Sequence, residues 1–111
     1  MATPLTLDSA CRDDGTFVLV VAGEIDMSNV EEFSEALTAG IAECGGIGPR
    51  LTVDLSAVKY LDSTAISALF SRADRIDIVA HPYLMGVFRI SGLTELVSIE
   101  PASLSTESAP D

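Results

Sequence analysis

Tryptophan is absent from this chain, histidine occurs once, cysteine twice, and the six basic residues are outnumbered by 17 acidic ones. The resulting formal net charge of −11 argues against non-specific attraction to DNA or RNA phosphates and to an acidic membrane surface. A basic or locally polar protein partner is easier to accommodate. Cys11 and Cys44 form no CxxC unit and are too few for a secreted disulfide framework, so both read as reduced cysteines. One histidine and two distant cysteines make no compact soft-ligand cluster, and Asp13-Asp14 reads as a pair of exposed turn carboxylates rather than a calcium loop. No metal is expected. Long hydrophobic runs are missing too: Phe17 to Ala22 is far too short to span a bilayer, and Met1 to Asp8 has no basic stretch followed by an apolar one. These absences lead us to expect one cytoplasmic domain without membrane insertion.

Enzyme signatures are equally scarce. The glycine-rich run Gly45-Gly46-Ile47-Gly48-Pro49 supplies neither a Walker A sequence nor a GxGxxG fingerprint, and Arg50 does not replace the missing phosphate-binding lysine. It reads as a connector. A hydrolase would need Ser63 as nucleophile, His81 as base and an aspartate as orienter. There is no GxSxG elbow, and nothing local brings His81, which adjoins Pro82, within reach of Ser63. Arg72, Arg75 and Arg89 offer an anion or protein contact, but relief of the acidic surface field explains them more simply. No catalytic role and no cofactor are expected.

What is present is a regular alternation of strand and helix patterns. A short strand over Leu5 to Ser9 and a turn over Arg12 to Thr16 lead into Phe17 to Ala22, whose consecutive apolar residues predict a buried strand paired with the first as a hairpin. Gly23-Glu24-Ile25-Asp26 reads as a break or a strand end. Ser28-Asn29-Val30-Glu31 has capping-box spacing for a helix over Asn29 to Cys44, with Val30, Phe33, Leu37, Ile41 and Cys44 as its apolar stripe. Leu51 to Leu55 alternates as a half-buried strand. A helix from Ser63 to Ala73 follows, then a strand over Arg75 to Val79, a helix opened by His81-Pro82 and stopped at Gly92, and a last strand over Leu96 to Ile99. Pro101 and the repeated serines after it predict an exposed tail. The pattern favours a mixed sheet with helices over a helix bundle.

The most informative stretch runs from Asp54 to Ala65, where a strand pattern gives way to a helix that begins with two adjacent hydroxyls, Ser63 and Thr64. Asp62 or Ser63 can cap the exposed amides. A phosphate on Ser63 would meet unpaired N–H groups and the positive end of the helix dipole. It would also add about −1.5 to −2 charges, which Asp26, Asp54 or Asp62, if near, would resist. Ile66, Leu69 and Ala73 predict a buried stripe on that helix; Phe70 lies at its margin, where core packing is the first reading and a protein-binding surface the second.

Three segments in order resemble the STAS domain family, most closely its single-domain anti-sigma-factor antagonists. Gly23-Glu24-Ile25-Asp26 is similar to the family's Gly-Glu-Leu-Asp segment. Val53-Asp54-Leu55-Ser56 with Leu61-Asp62-Ser63-Thr64 is similar to its central strand and switch, and Val87-Phe88-Arg89-Ile90-Ser91-Gly92-Leu93 to its late basic residue and Gly-Leu pair. The resemblance spans Leu5 to Ile99 and implies an α/β fold with a mixed four- to five-stranded sheet and about three helices, with a STAS domain over 1–100 and a flexible tail over 101–111. It implies that Ser63 is the phosphorylated position, with Asp26, Asp62, Thr64, Ile66 and Phe70 supporting the switch or touching the partner. The implied partner is an anti-sigma factor with serine kinase activity. The unphosphorylated protein would bind it and free a sigma factor for transcription, and a PP2C-like phosphatase would restore the unmodified form. ATP would belong to the kinase. Ala65 departs from the family's usual glycine, the Ser71 to Ile76 junction is short, and the usual C-terminal helix is poorly represented. The alternative function is a constitutive STAS adaptor, for example in a lipid-transport assembly.

Overall fold

The computed structural model describes residues 5–11, 16–43 and 50–101. Strand β1 (Thr6–Cys11) and strand β2 (Phe17–Ile25) are followed by helix α1 (Val30–Glu43), strand β3 (Leu51–Leu61), helix α2 (Ser63–Phe70), strand β4 (Ile76–Ala80), helix α3 (Met85–Ser91) and strand β5 (Ile99–Pro101). Short 3-10 turns fill Ala73–Arg75, Pro82–Leu84 and Leu93–Glu95. The five strands form one sheet in chain order. β1 pairs antiparallel with β2, as expected of the hairpin, and the remaining neighbours pair in parallel. The turn residues Arg12 to Gly15, the connector Cys44 to Pro49 and the tail 102–111 lie outside the described residues.

With parallel strands laid down in sequence order, crossovers of one hand place all three helices against the same sheet face. Burial agrees. Leu19, Val53 and Ile78 stand in register across β2, β3 and β4, and they share a single apolar cluster with Phe33 and Leu37 of α1, Leu69 of α2 and Phe88 of α3. The alternate positions face away from the helices. Hence Val20 of β2 is exposed, although the unbroken apolar run there reads as a wholly buried strand. Its register neighbours on that face are Asp8 and Asp54.

Several element limits differ from the sequence expectation. Of the two expectations for Gly23-Glu24-Ile25-Asp26, the strand end holds and the break does not: β2 continues to Ile25, because Gly23 and Ile25 are still buried and pair with Val58 and Leu61. β3 runs on to Leu61 rather than ending at Leu55. α2 stops at Phe70, and Ala73 belongs to the 3-10 turn that closes the short path into β4. Ala65, Ala68 and Leu69 form its buried stripe, whereas Ile66 is only partly covered. β5 is shifted to Ile99–Pro101 because Leu93–Glu95 still coils after α3; Pro101 therefore ends a strand instead of opening a tail.

Gly92 stops α3 as its position predicts. It sits at φ +87°, a left-handed conformation, and its N–H returns to the carbonyls of Arg89 and Phe88. A Cβ at that site would meet open space, so the cost of a side chain there is conformational rather than steric. Gly92→Ala should lower stability by about 1–2 kcal/mol, read as a reduced denaturant midpoint with an unchanged slope; an unchanged midpoint would contradict the left-handed cap.

Candidate functional site

The C-terminal ends of β2 and β3 lie side by side, Ile25 paired with Leu61. The residue after each strand does the positioning. The backbone N–H of Asp62 donates to the Ile25 carbonyl at 3.2 Å, and the Asp62 carbonyl accepts from Ile66 N–H at 3.1 Å. One residue thus ends the sheet and begins α2. Its carboxylate caps the helix, with Oδ1 accepting from Thr64 N–H at 3.0 Å, from Ala65 N–H at 3.2 Å and from the Thr64 hydroxyl. The cap is Asp62, and Ser63 is the first residue inside the helix.

This arrangement changes the expected chemistry of the helix start. The amides of Thr64 and Ala65, which a phosphate on Ser63 was expected to find unpaired, are already bonded to Asp62. A new anion there would meet a carboxylate in possession of them. The Asp62 carboxyl is held below the usual carboxylate range, first by the Thr64 hydroxyl and then by the backbone N–H groups of Ala65, Thr64 and Met27, while partial burial works in the opposite sense. It is ionised at neutral pH.

The loop between β2 and α1 is tied by its own side chains. Asp26 Oδ1 accepts from the Ser28 N–H at 2.9 Å and from the Ser28 hydroxyl. Asn29 Oδ1 accepts from Asp26 N–H at 2.9 Å, and Asn29 Nδ2 donates to the Glu24 carbonyl at 3.0 Å. The capping box expected from Ser28 and Glu31 does not form, since Ser28 is engaged with Asp26. Asp26 therefore orients the loop, and the tip it holds out is Met27, 71 % exposed. Met27 was not singled out by sequence reasoning. A signal for the loop was present: Asp-x-Ser/Thr recurs at Asp26-Ser28, Asp54-Ser56 and Asp62-Thr64, and each time the carboxylate accepts from both the amide and the hydroxyl two residues on. This is an Asx turn reinforced by a hydroxyl.

Of the sequence-selected residues, the structure brings Asp26, Asp62, Ser63 and Thr64 to this one end of the sheet. Ser63 is exposed, and its hydroxyl has no hydrogen-bond partner among the described residues. Thr64 is half-buried and its hydroxyl is committed to Asp62. Ile66 and Phe70 are partly buried and pack against the core cluster, so neither is a freely exposed contact. Ala65 is fully buried, its methyl group packed in the core cluster.

The other chemical candidates do not assemble. His81 caps the 3-10 turn after β4, its Nδ1 accepting from Tyr83 N–H at 3.1 Å, and no hydrogen bond joins it to Ser63. Arg72 is engaged with the Ala68 carbonyl and the Thr38 hydroxyl. Arg50 binds Asp77 and the carbonyls of Ala73 and Ile76. Among the described residues no group of three or more His, Cys, Asp or Glu side chains is arranged to hold a metal, and no helix is long and apolar enough to cross a membrane.

The mixed sheet covered by three helices is an α/β domain that displays Ser63 and Thr64 at the strand ends, directly after the Asp62 cap. The family model described as Mlab, STAS domain matches residues 9–98. The chain belongs to the STAS domain family. It is similar in structure to an anti-sigma factor antagonist from Mycobacterium paratuberculosis, with a TM-score of 0.79 and 26 % identity over 97 % of each chain. The unphosphorylated form of the anti-sigma factor antagonist SpoIIAA has the same fold, at a TM-score of 0.65 and 17 % identity over 93 % of each chain. So does the phosphorylated form of the Bacillus cell fate determinant SpoIIAA, at 0.62 and 17 % over 93 % of this chain and 96 % of that one. No match was found among curated proteins.

The Asp62 cap is open to a direct test. Its folded-state pKa lies below the 3.8 of an unperturbed aspartate, so the unfolded chain binds the proton more readily. The ionised cap therefore contributes fully above that value, and the contribution is lost as pH falls through the folded pKa. Asp62→Ala should cost about 0.5–2 kcal/mol at pH 7, and the gap between variant and parent should narrow in acid below 3.8. A gap independent of pH would show that the ionised carboxylate is not what holds the helix start.

Proposed function

We propose that the protein is an anti-sigma-factor antagonist, cytoplasmic and bacterial, that binds a serine-kinase anti-sigma factor when unmodified and is switched off by phosphorylation at Ser63. The observation that carries this reading is the difference between two neighbouring hydroxyls. The Ser63 hydroxyl is exposed and unpartnered among the described residues, whereas that of Thr64 is tied to Asp62 and half-covered. A kinase that reaches this helix start finds one free acceptor. The transferred phosphoryl group adds about −1.5 to −2 charges beside the ionised Asp62, whose cap leaves it few amides to bind. Rejection of the partner follows from that local excess of negative charge and from the cost of desolvating it.

The partner surface in this reading comprises Ser63, the exposed Met27 tip held out by Asp26, and the outer edges of Ile66 and Phe70. An apolar rim of this kind suits a protein partner, and the kinase brings its own ATP. A PP2C-like phosphatase reverses the modification. The likeness to anti-sigma factor antagonists, the first at 26 % identity over nearly the whole chain, supports the same class of partner. A constitutive STAS adaptor, for instance in a lipid-transport complex, would share the fold without a switch.

Incubation with ATP and each anti-sigma kinase of the source organism, read by intact mass, site-resolved phosphorylation and pull-down, separates the two. One phosphate at Ser63 together with binding by the unmodified form is the expected result. Ser63→Ala should keep the fold within about 0.5 kcal/mol, as for exposed substitutions, and retain partner binding while losing phosphate incorporation. Principal incorporation at Thr64 would overturn the site. Neither modification nor binding across the full set of kinases would turn the assignment to the adaptor.

A further inference from the structure

β3 pairs with β4 only as far as Leu55, opposite Ala80, yet it continues to Leu61. Beyond that pair the chain after β4 turns away into the Pro82–Leu84 turn. The gap between the two is a cleft of about 370 Å³, at the low end of the roughly 300–1,000 Å³ typical of small-molecule sites. Its lining is mostly apolar, with Ala57, Val58 and Leu84 alongside Ser56, Lys59, His81 and Tyr83.

The polar groups on that rim are unusual for this chain. Lys59 is the single lysine and His81 the single histidine of a protein with 17 acidic residues. Lys59 is exposed and has no anionic partner among the described residues. Its placement is a product of the sheet: Gly23 pairs with Val58 and Glu24 with Tyr60, so Lys59 is the extra residue of a bulge. His81 is held by the Tyr83 N–H on Nδ1 at 3.1 Å, so the neutral ring carries its proton on Nε2 and offers it as a donor. The His81 and Tyr83 rings lie 4.7 Å apart, tilted by 39°. Two donors and an aromatic pair therefore share the lining with apolar side chains.

We infer that this cleft binds a small organic anion, a carboxylate or phosphate monoester on a compact apolar body of about one ring. The anionic group takes Lys59 Nζ and His81 Nε2–H, and the body packs on Ala57, Val58, Leu84 and the Tyr83 ring. The inference uses none of the residues assigned to the phosphoswitch and stands or falls without it. It is tested by amide NMR of the full chain titrated with benzoate, phenyl phosphate and, as a neutral body of similar size, benzyl alcohol. Saturable shifts at 56–59 and 81–84 are expected with at least one of the anions, and the stronger of the two reveals which group is preferred. Benzyl alcohol should bind about tenfold more weakly than that anion, and Lys59→Gln should weaken the anion by a similar factor, as for loss of a charged hydrogen bond. Tyr83→Ala, at an 88 % exposed position, should weaken all three. No saturable shift with either anion up to about 10 mM, shifts mapping elsewhere, or equal binding of the neutral analogue would overturn the site.

Discussion

Asp62 is the point on which the strand ends of β2 and β3 and the start of α2 depend. Its N–H extends the β2–β3 pairing one step past the strands, its carbonyl opens the hydrogen-bond ladder of α2, and its carboxylate occupies the first amides of that helix. No linker intervenes between sheet and helix, so the direction of α2 follows from the direction of β3. The Met27 N–H of the neighbouring loop also favours the ionised form of that carboxylate. Ser63 is displayed because the residue before it is committed in every direction, and the hydroxyl after it is drawn into the same cap.

The fold class was legible because the helix-facing residues recur at the expected periods. Leu51, Val53 and Leu55 announce β3, and Phe33 and Leu37 announce α1. The pattern ended too early at Leu55 for a physical reason. Val18–Ile25 of β2 lies against Thr52–Leu61 of β3, and the longer side absorbs its two extra residues as bulges near Ser56 and Lys59. Each bulge resets the alternation, so the buried residues pass from Leu55 to Val58 to Leu61, three apart. A strand with that spacing mimics neither a regular strand nor a helix. Bulges in parallel pairs are uncommon, and here the first coincides with the Asp54–Ser56 turn, which offers the backbone an alternative to the ladder.

At the site, residue types were readable and their bonding was not. Asp62, Ser63 and Thr64 stand out in the sequence, but which residue caps and which hydroxyl stays free depends on one carboxylate oxygen choosing among several donors. Ser28 illustrates the same competition: its capping-box spacing is correct, yet Asp26 two residues earlier takes its hydroxyl and leaves α1 without that cap. The recurring Asp-x-Ser/Thr pattern was the available signal, since a carboxylate two residues before a hydroxyl closes locally whatever element follows. Exposure of Met27, by contrast, has no sequence signature; an apolar residue between Asp26 and Ser28 gains its position only from the turn they make.

Net charge constrains how a phosphate at Ser63 can act. The chain already carries −11, and a phosphoryl group changes that by about −1.5 to −2, a small fraction of the total. At physiological ionic strength charges separated by more than about 8 Å are largely screened. A partner able to approach the unmodified protein already tolerates its long-range field, so the added charge must be felt by groups touching Ser63. Asp62 is the carboxylate bound there, ionised and holding the amides of Thr64 and Ala65. In the proposed switch a phosphate would compete with that carboxylate for the same end of α2, while the apolar rim beside them would have to be dehydrated on binding. The combination makes a local contact, rather than the charge of the whole molecule, the means by which one modification can decide whether the surface is accepted.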